Sequence, residues 1–102
     1  MNVCFEYFYR DSGNFKTFGD VVFQNKQGLN VSDVEEEIRQ NLIDQQFFYT
    51  EEIQIESLLT PEAVTDVDPT WHEFQSLTET DQKVNDIANR DICDVIKLLS
   101  DG

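Results

Sequence analysis

The chain reads as a two-layer α+β domain, with an antiparallel sheet that starts from a β-hairpin and two helices packed on one face of it. Three observations predict it. The opening residues are rich in aromatic and β-branched types, with a turn cluster between two such runs. Two later segments repeat apolar residues at spacings of three and four, as a helix does. Strand-like alternation returns between those segments.

Taken in order, residues 3–10 (VCFEYFYR) lack helical spacing and read as a strand. Asp11-Ser12-Gly13-Asn14 supplies a turn, because Gly and Asn tolerate left-handed backbone. A second strand follows from Phe15 to Gln24, in which Gly19 marks a bulge or a close backbone approach. A helix is predicted from Ser32 to about Gln45, with Ser32 as N-cap and Glu35 completing a capping box. Val31, Val34, Ile38 and Leu42 form its apolar stripe, and the acids of its first turns suit the helix dipole. Phe47-Phe48-Tyr49 is expected to pack over the helix end. Thr50 to Leu59 supports two readings, a helical turn at Thr50-Glu51-Glu52 or a short strand carrying Ile53 and Ile55. Thr60 to Pro69 reads as loop. From Thr70 to Thr80, Trp71, Glu73 and Gln75 alternate against His72, Phe74 and Ser76, as in a strand. Asp81 to Asn89 reads as loop or a helical turn, and Asn89 is the expected cap of a last helix carrying Ile92, Val95, Ile96 and Leu99.

Length and charge bound the function. The 102 residues suit one acidic α+β domain spanning 1–102. Twenty-one acids against seven Lys and Arg leave a formal net charge of −14. Such a charge favours solubility, strains the compact state by self-repulsion, and repels DNA, RNA and anionic lipid. The opening residues lack the basic-then-apolar pattern of a secretion signal, and no run approaches the ~18 apolar residues of a membrane span. A cytoplasmic protein with reduced Cys4 and Cys93 is the expectation.

The run FEYFYRDSGNFKTFGDVVFQN and the later WHEF resemble a group of small bacterial proteins without an assigned activity. That group shares an aromatic strand ending in Tyr-Arg-Asp (here Tyr9-Arg10-Asp11), an Asn-x-Lys turn (Asn14 to Lys16), a Gly-x-Val-x-Phe strand (Gly19 to Phe23) and Trp-His-Glu-Phe (Trp71 to Phe74). The resemblance implies the hairpin and the later strand. It carries no functional residues.

No constellation of residues points to catalysis or to a cofactor. His72 and Glu73 are neighbours in a strand and so point to opposite faces, which rules out a dyad. An acidic field raises a thiol pKa, the wrong direction for a nucleophile at Cys4 or Cys93. Glu62, Asp66 and Asp68 lack the spacing and the Gly of a calcium loop. Phosphate-binding Gly-rich loops, nucleophile elbows and zinc-protease motifs are absent from the sequence. A non-enzymatic protein without metal or cofactor is therefore expected.

Two features remain for recognition. The first strand sets Phe5, Tyr7 and Tyr9 on one face and Cys4 and Phe8 on the other; both faces are apolar, so the strand is either buried on both sides, the favoured reading, or offers one side to a partner. A stacking pocket for a small molecule would use Tyr7, Tyr9, Phe18 and Trp71. The second feature is the gap between Arg39 and Lys83, which holds ten acids and no Lys or Arg. Folded into one layer, those acids would project a wide negative face able to occupy a groove built for nucleic acid. The expected function is an acidic inhibitor of a basic, nucleic-acid-binding protein, similar in size and charge to phage anti-restriction and anti-CRISPR proteins. The binding residues would be Glu51, Glu52, Glu56, Glu62, Asp66 and Asp68, followed by Asp33, Glu36 and Glu37. An immunity protein or antitoxin against a basic nuclease toxin is the alternative within the same physics.

Overall fold

The computed structural model describes residues 1–59 and 69–101. Strands β1 (Asn2–Arg10) and β2 (Lys16–Phe23) form the opening hairpin, followed by helix α1 (Val31–Gln40). A two-residue strand β3 (Phe47–Phe48), a helical turn α2 (Thr50–Ile53), strand β4 (His72–Thr80) and helix α3 (Ile92–Asp101) complete the chain. The four strands make one antiparallel sheet in the order β2-β1-β4-β3. The molecule is α+β, as its residue patterns predict.

The hairpin closes through Asp11, whose Oδ1 accepts from the N–H groups of Gly13 and Phe15, both at 2.9 Å. Asn14 takes a φ of 68°, which its short polar side chain tolerates. The β1–β2 register runs unbroken through Tyr7↔Gly19, so Gly19 is a close approach and not a bulge. A Cβ there would lie 3.0 Å from Leu58 Cδ2 and 3.2 Å from Tyr7 Cζ. The bulge lies instead between β1 and β4, at the Glu6/Tyr7 step, and leaves Gln75 without a partner on β1. This inverts the expected alternation of β4. His72 and Phe74 face the core, but the next core residue is Leu77, not Ser76. Ser76 turns to the outer face, where its hydroxyl donates to Glu6 Oε2 at 2.7 Å.

Both helix caps differ from expectation. Asn30, not Ser32, caps α1, its Oδ1 accepting from the Asp33 N–H at 3.1 Å. Glu35 forms no capping box, because its Oε1 accepts from the Leu77 N–H of β4 at 2.8 Å. The helix ends at Gln40, and the tight turn that follows, with positive φ at Asp44 and Gln45, lets Phe47 donate to the Ile43 carbonyl. Asn89 does not cap α3. Asp91 occupies that position, accepting from the Cys93 N–H at 2.9 Å, while its own N–H donates to Asp94 Oδ2 at 3.1 Å. Of the two readings for Thr50 to Leu59, the helical turn is the one observed at its start. The predicted loop falls, apart from Pro69, outside the described residues.

One hydrophobic cluster unites the elements. Val3, Phe5 and Tyr7 of β1 join Phe23, Phe48, Phe74 and Leu77 from the other strands, Val34 and Ile38 of α1, Ile53 of α2, and Ile92, Val95, Ile96 and Leu99 of α3. Phe5 stands at its centre, with ring centroids 4.9 Å from Phe74 and 5.6 Å from Phe48.

Candidate interaction surface

The three arginines are engaged by partners within the chain. Arg90 donates to the carbonyls of Ile53 and Gln54, pairs with Asp86 at 2.9 Å and lies over the Phe23 ring. Arg39 lies 4.8 Å from the Phe74 ring centroid and donates to the carbonyls of Gln45 and Gln75. Arg10 pairs with Glu73 at 3.0 Å and donates to Asn14. Guanidinium groups suit this work because a rigid planar fork serves several acceptors while its face covers an aromatic ring. Among the described residues, Arg10–Glu73 and Arg90–Asp86 are the two ion pairs.

Most of the other described carboxylates are left to water. Asp33, Glu36 and Glu37 are exposed on α1, on the side away from buried Val34 and Ile38. Glu51 and Glu52 are exposed on α2, whose inward residues are Thr50 and Ile53. Glu56 is exposed just beyond. Glu62, Asp66 and Asp68 lie outside the described residues. Each exposed acid obeys the same local rule: in a helix or turn whose apolar positions are spent on the core, the remaining positions stay solvated.

Electrostatic neighbours show how tertiary structure regroups these acids. Burial pushes the Tyr7 hydroxyl up to about 12, and the nearby charges of Glu56 and Asp20 push the same way. Burial also raises Cys4 to about 11, reinforced by Asp20 and Glu6. Asp20 thus has Glu6 beside one cleft and Glu56 beside another, although the three lie far apart in the chain. At the start of α3, burial and a hydrogen bond to Asp91 raise the Cys93 thiol, with Asp91, Asp94 and Glu37 adding their charge. Asp20, Glu6 and Asp94 escaped the sequence reading. Their signal was weak, since each is a lone acid within a strand or a helix turn. Glu73, which lies in the cation-free stretch, is neutralised by Arg10 from 63 positions away.

The aromatic residues divide differently from the expected pocket. Tyr7 and Tyr9 are buried on the core side, their hydroxyls donating to the carbonyls of Glu56 and Pro69, both at 2.7 Å. Phe18 is 61% exposed on the opposite side of the sheet, its ring centroid 5.6 Å from that of Phe8 and tilted to it by 48°. Trp71 lies against Phe47. The four do not share one pocket, because strand alternation sends Phe18 away from the tyrosines. Open clefts occur on the surface, of about 250 Å³ beside Phe18 and Asp20 and about 430 Å³ beside Trp71 and Arg10.

His72 is fully buried among Tyr7, Tyr9 and Phe48. Its Nε2 accepts from the Leu58 N–H at 3.0 Å, which places the proton of the neutral ring on Nδ1. Burial holds its pKa below the usual 6.5, against a smaller opposing pull from Glu51. The ring therefore braces the segment after α2 and is kept from solvent. Among the described residues, no group of three His, Cys, Asp or Glu is placed to hold a metal ion, and no helix is long and apolar enough to cross a membrane.

No protein-family model, curated protein or solved structure matches the chain.

Proposed function

We propose that the chain is an acidic protein-interaction module whose carboxylates dock on a basic surface of another protein, of the kind that nucleic-acid-binding proteins present, and so act as an inhibitor. One observation carries this reading. Asp33, Glu36, Glu37, Glu51, Glu52 and Glu56 are all exposed, while the three arginines are committed to carbonyls, rings and other carboxylates. Among the described residues only two carboxylates are ion-paired, so these exposed acids carry their charge to solvent with little local compensation. Carboxylates held on a folded frame lose little entropy on docking, and the long-range field speeds encounter with a cationic partner.

The test is capture of basic proteins from a cell lysate by the immobilised chain, with competition by duplex DNA. Capture should be lost at high salt, be displaced by DNA, and fail for the triple variant Glu51→Lys, Glu52→Lys, Glu56→Lys. A captured set that ignores the triple variant and DNA alike would end the proposal.

A further inference from the structure

The outer edge of β2 is closed over only part of its length. Val22 exchanges hydrogen bonds with Asn85, its N–H donating to Asn85 Oδ1 at 2.8 Å and its carbonyl accepting from the Asn85 N–H at 3.3 Å. Gln24 is closed in the same way by the Arg90 carbonyl and the Ile92 N–H. Backbone groups alternate direction along a strand, so Asp20, Phe18 and Lys16 point their N–H and C=O outward as Val22 and Gln24 do. Among the described residues nothing meets them. The side chains of this open stretch are exposed, with Phe18 at 61%.

The outer face beside this edge is arranged in rows. Across the hairpin, Arg10 stands opposite Lys16, Phe8 opposite Phe18, and Glu6 opposite Asp20. Two of the three rows set like charges face to face, an arrangement that costs stability in an isolated sheet; in the cationic row Glu73 already answers Arg10, which leaves Lys16 as the cation without a carboxylate. Lys16 and Asp20 lie two residues to either side of Phe18, so a two-fold axis through the edge at Phe18 exchanges them. A second copy paired there in antiparallel fashion sets Lys16 against the copy's Asp20 and Asp20 against the copy's Lys16. Each acidic row then gains a cation and each cationic row an acid. The tilted Phe8–Phe18 pair meets its own copy to form a four-ring row, and the outward backbone groups of all three residues find partners.

We propose that this chain self-associates through the Lys16–Asp20 edge of β2, in an isologous dimer centred on Phe18 that joins two four-stranded sheets into one. The open stretch is short, so the contact falls at the small end of specific interfaces and the dimer is a weak one. The repulsion between two chains of charge −14 keeps it weak at low salt.

Sedimentation velocity of the full chain at moderate salt, from micromolar to millimolar concentration, tests the proposal. A monomer–dimer equilibrium is expected. Asp20→Lys and Lys16→Asp should each weaken it by about tenfold or more, because each turns two attractive cross-strand pairs into repulsive ones. The double variant should restore it to within about threefold, since the pairs are then attractive again in swapped positions. Neither single change strains the monomer, because Lys16→Asp sets a carboxylate opposite Arg10 and Asp20→Lys sets an ammonium opposite Glu6. Thermal melts should confirm that both single variants stay folded. A wild-type chain that remains monomeric throughout, a dimer indifferent to the single changes, or a double variant that fails to recover would each overturn the proposal.

Discussion

The two edges of the sheet are finished in different ways. On the β4 side, α1 lies along the strand, and Glu35 accepts from the Leu77 N–H while Arg39 donates to the Gln75 carbonyl. The Gln46 carbonyl takes the Phe74 N–H, and β3 covers the start of the strand. On the β2 side the closure comes from the loop before α3, through Asn85 and Arg90, and stops at Val22. An unpaired strand edge invites another chain unless side chains blunt it. Here one edge is sealed by charged side chains reaching across from a helix. The other is left open where its side chains alternate Lys, Phe and Asp. Charged residues are thus employed in two opposite senses, spent on backbone groups at one edge and left free at the other.

Variants can sharpen or break that contrast. The largest expected effect is at Arg90, which ties the loop closing β2 to α2. Arg90→Ala should destabilise the fold by about 3 kcal/mol in denaturant titrations, because it leaves two carbonyls without their donor and Asp86 with only the backbone N–H of residue 90. Glu35→Ala should cost about 2 kcal/mol, the penalty for stranding the partly buried Leu77 N–H and losing a charge-assisted bond. A negligible cost there would mean that the β4 edge is not sealed by α1.

Acid should loosen the region where β3 meets β4. The folded pKa of His72 is lowered, so the unfolded chain binds the proton more readily. This contribution to stability is intact above the unfolded value near 6.5 and declines as pH falls below it toward the lowered folded pKa. The slope can reach about 1.4 kcal/mol per pH unit for one proton. Comparing thermal melts of the wild type with His72→Gln across pH 5 to 8 isolates it, ~1.4 kcal/mol per unit being the ceiling. Equal slopes in the two proteins would show that His72 is not held neutral by burial. Asn85→Ala should cost about 1 kcal/mol, the usual net value of one hydrogen bond to a backbone group. Smallest of all, Asp20→Lys should change monomer stability by no more than about 0.5 kcal/mol, and in the favourable direction, because it relieves the pairing with Glu6. A large loss would show that the open edge is structural after all.

Much of the fold was legible because it rests on local patterns. Aromatic and β-branched runs on either side of Asp11-Ser12-Gly13-Asn14 announce the hairpin, and the spacing of Val34 and Ile38 or of Ile92, Val95, Ile96 and Leu99 announces the helices. The end points were less legible. Ser32 and Glu35 make a good capping box on paper, yet Asn30 caps the helix and Glu35 is drawn to an unsatisfied N–H on β4. A buried or half-buried donor without a partner costs more than a surface cap contributes, so the strand wins the carboxylate. The candidate surface was legible in part. The exposed acids of α1 and α2 follow from their position opposite apolar residues, whereas the aromatic set Tyr7, Tyr9, Phe18 and Trp71 is split across the sheet.

The amino-acid order alone determined the hairpin, the two long helices, the later strand, the strongly negative charge and the outward placement of Asp33, Glu36 and Glu37, because periodicity and solvation act over a few residues. Tertiary structure decided which face of the hairpin is core, where the bulge turns Ser76 outward, and which carboxylates receive an arginine. Those outcomes depend on groups brought together from opposite ends of the chain, such as Arg10 with Glu73 and Val22 with Asn85. Their physical cause is the need to give buried polar groups partners drawn from across the chain, a condition that no local window of residues contains.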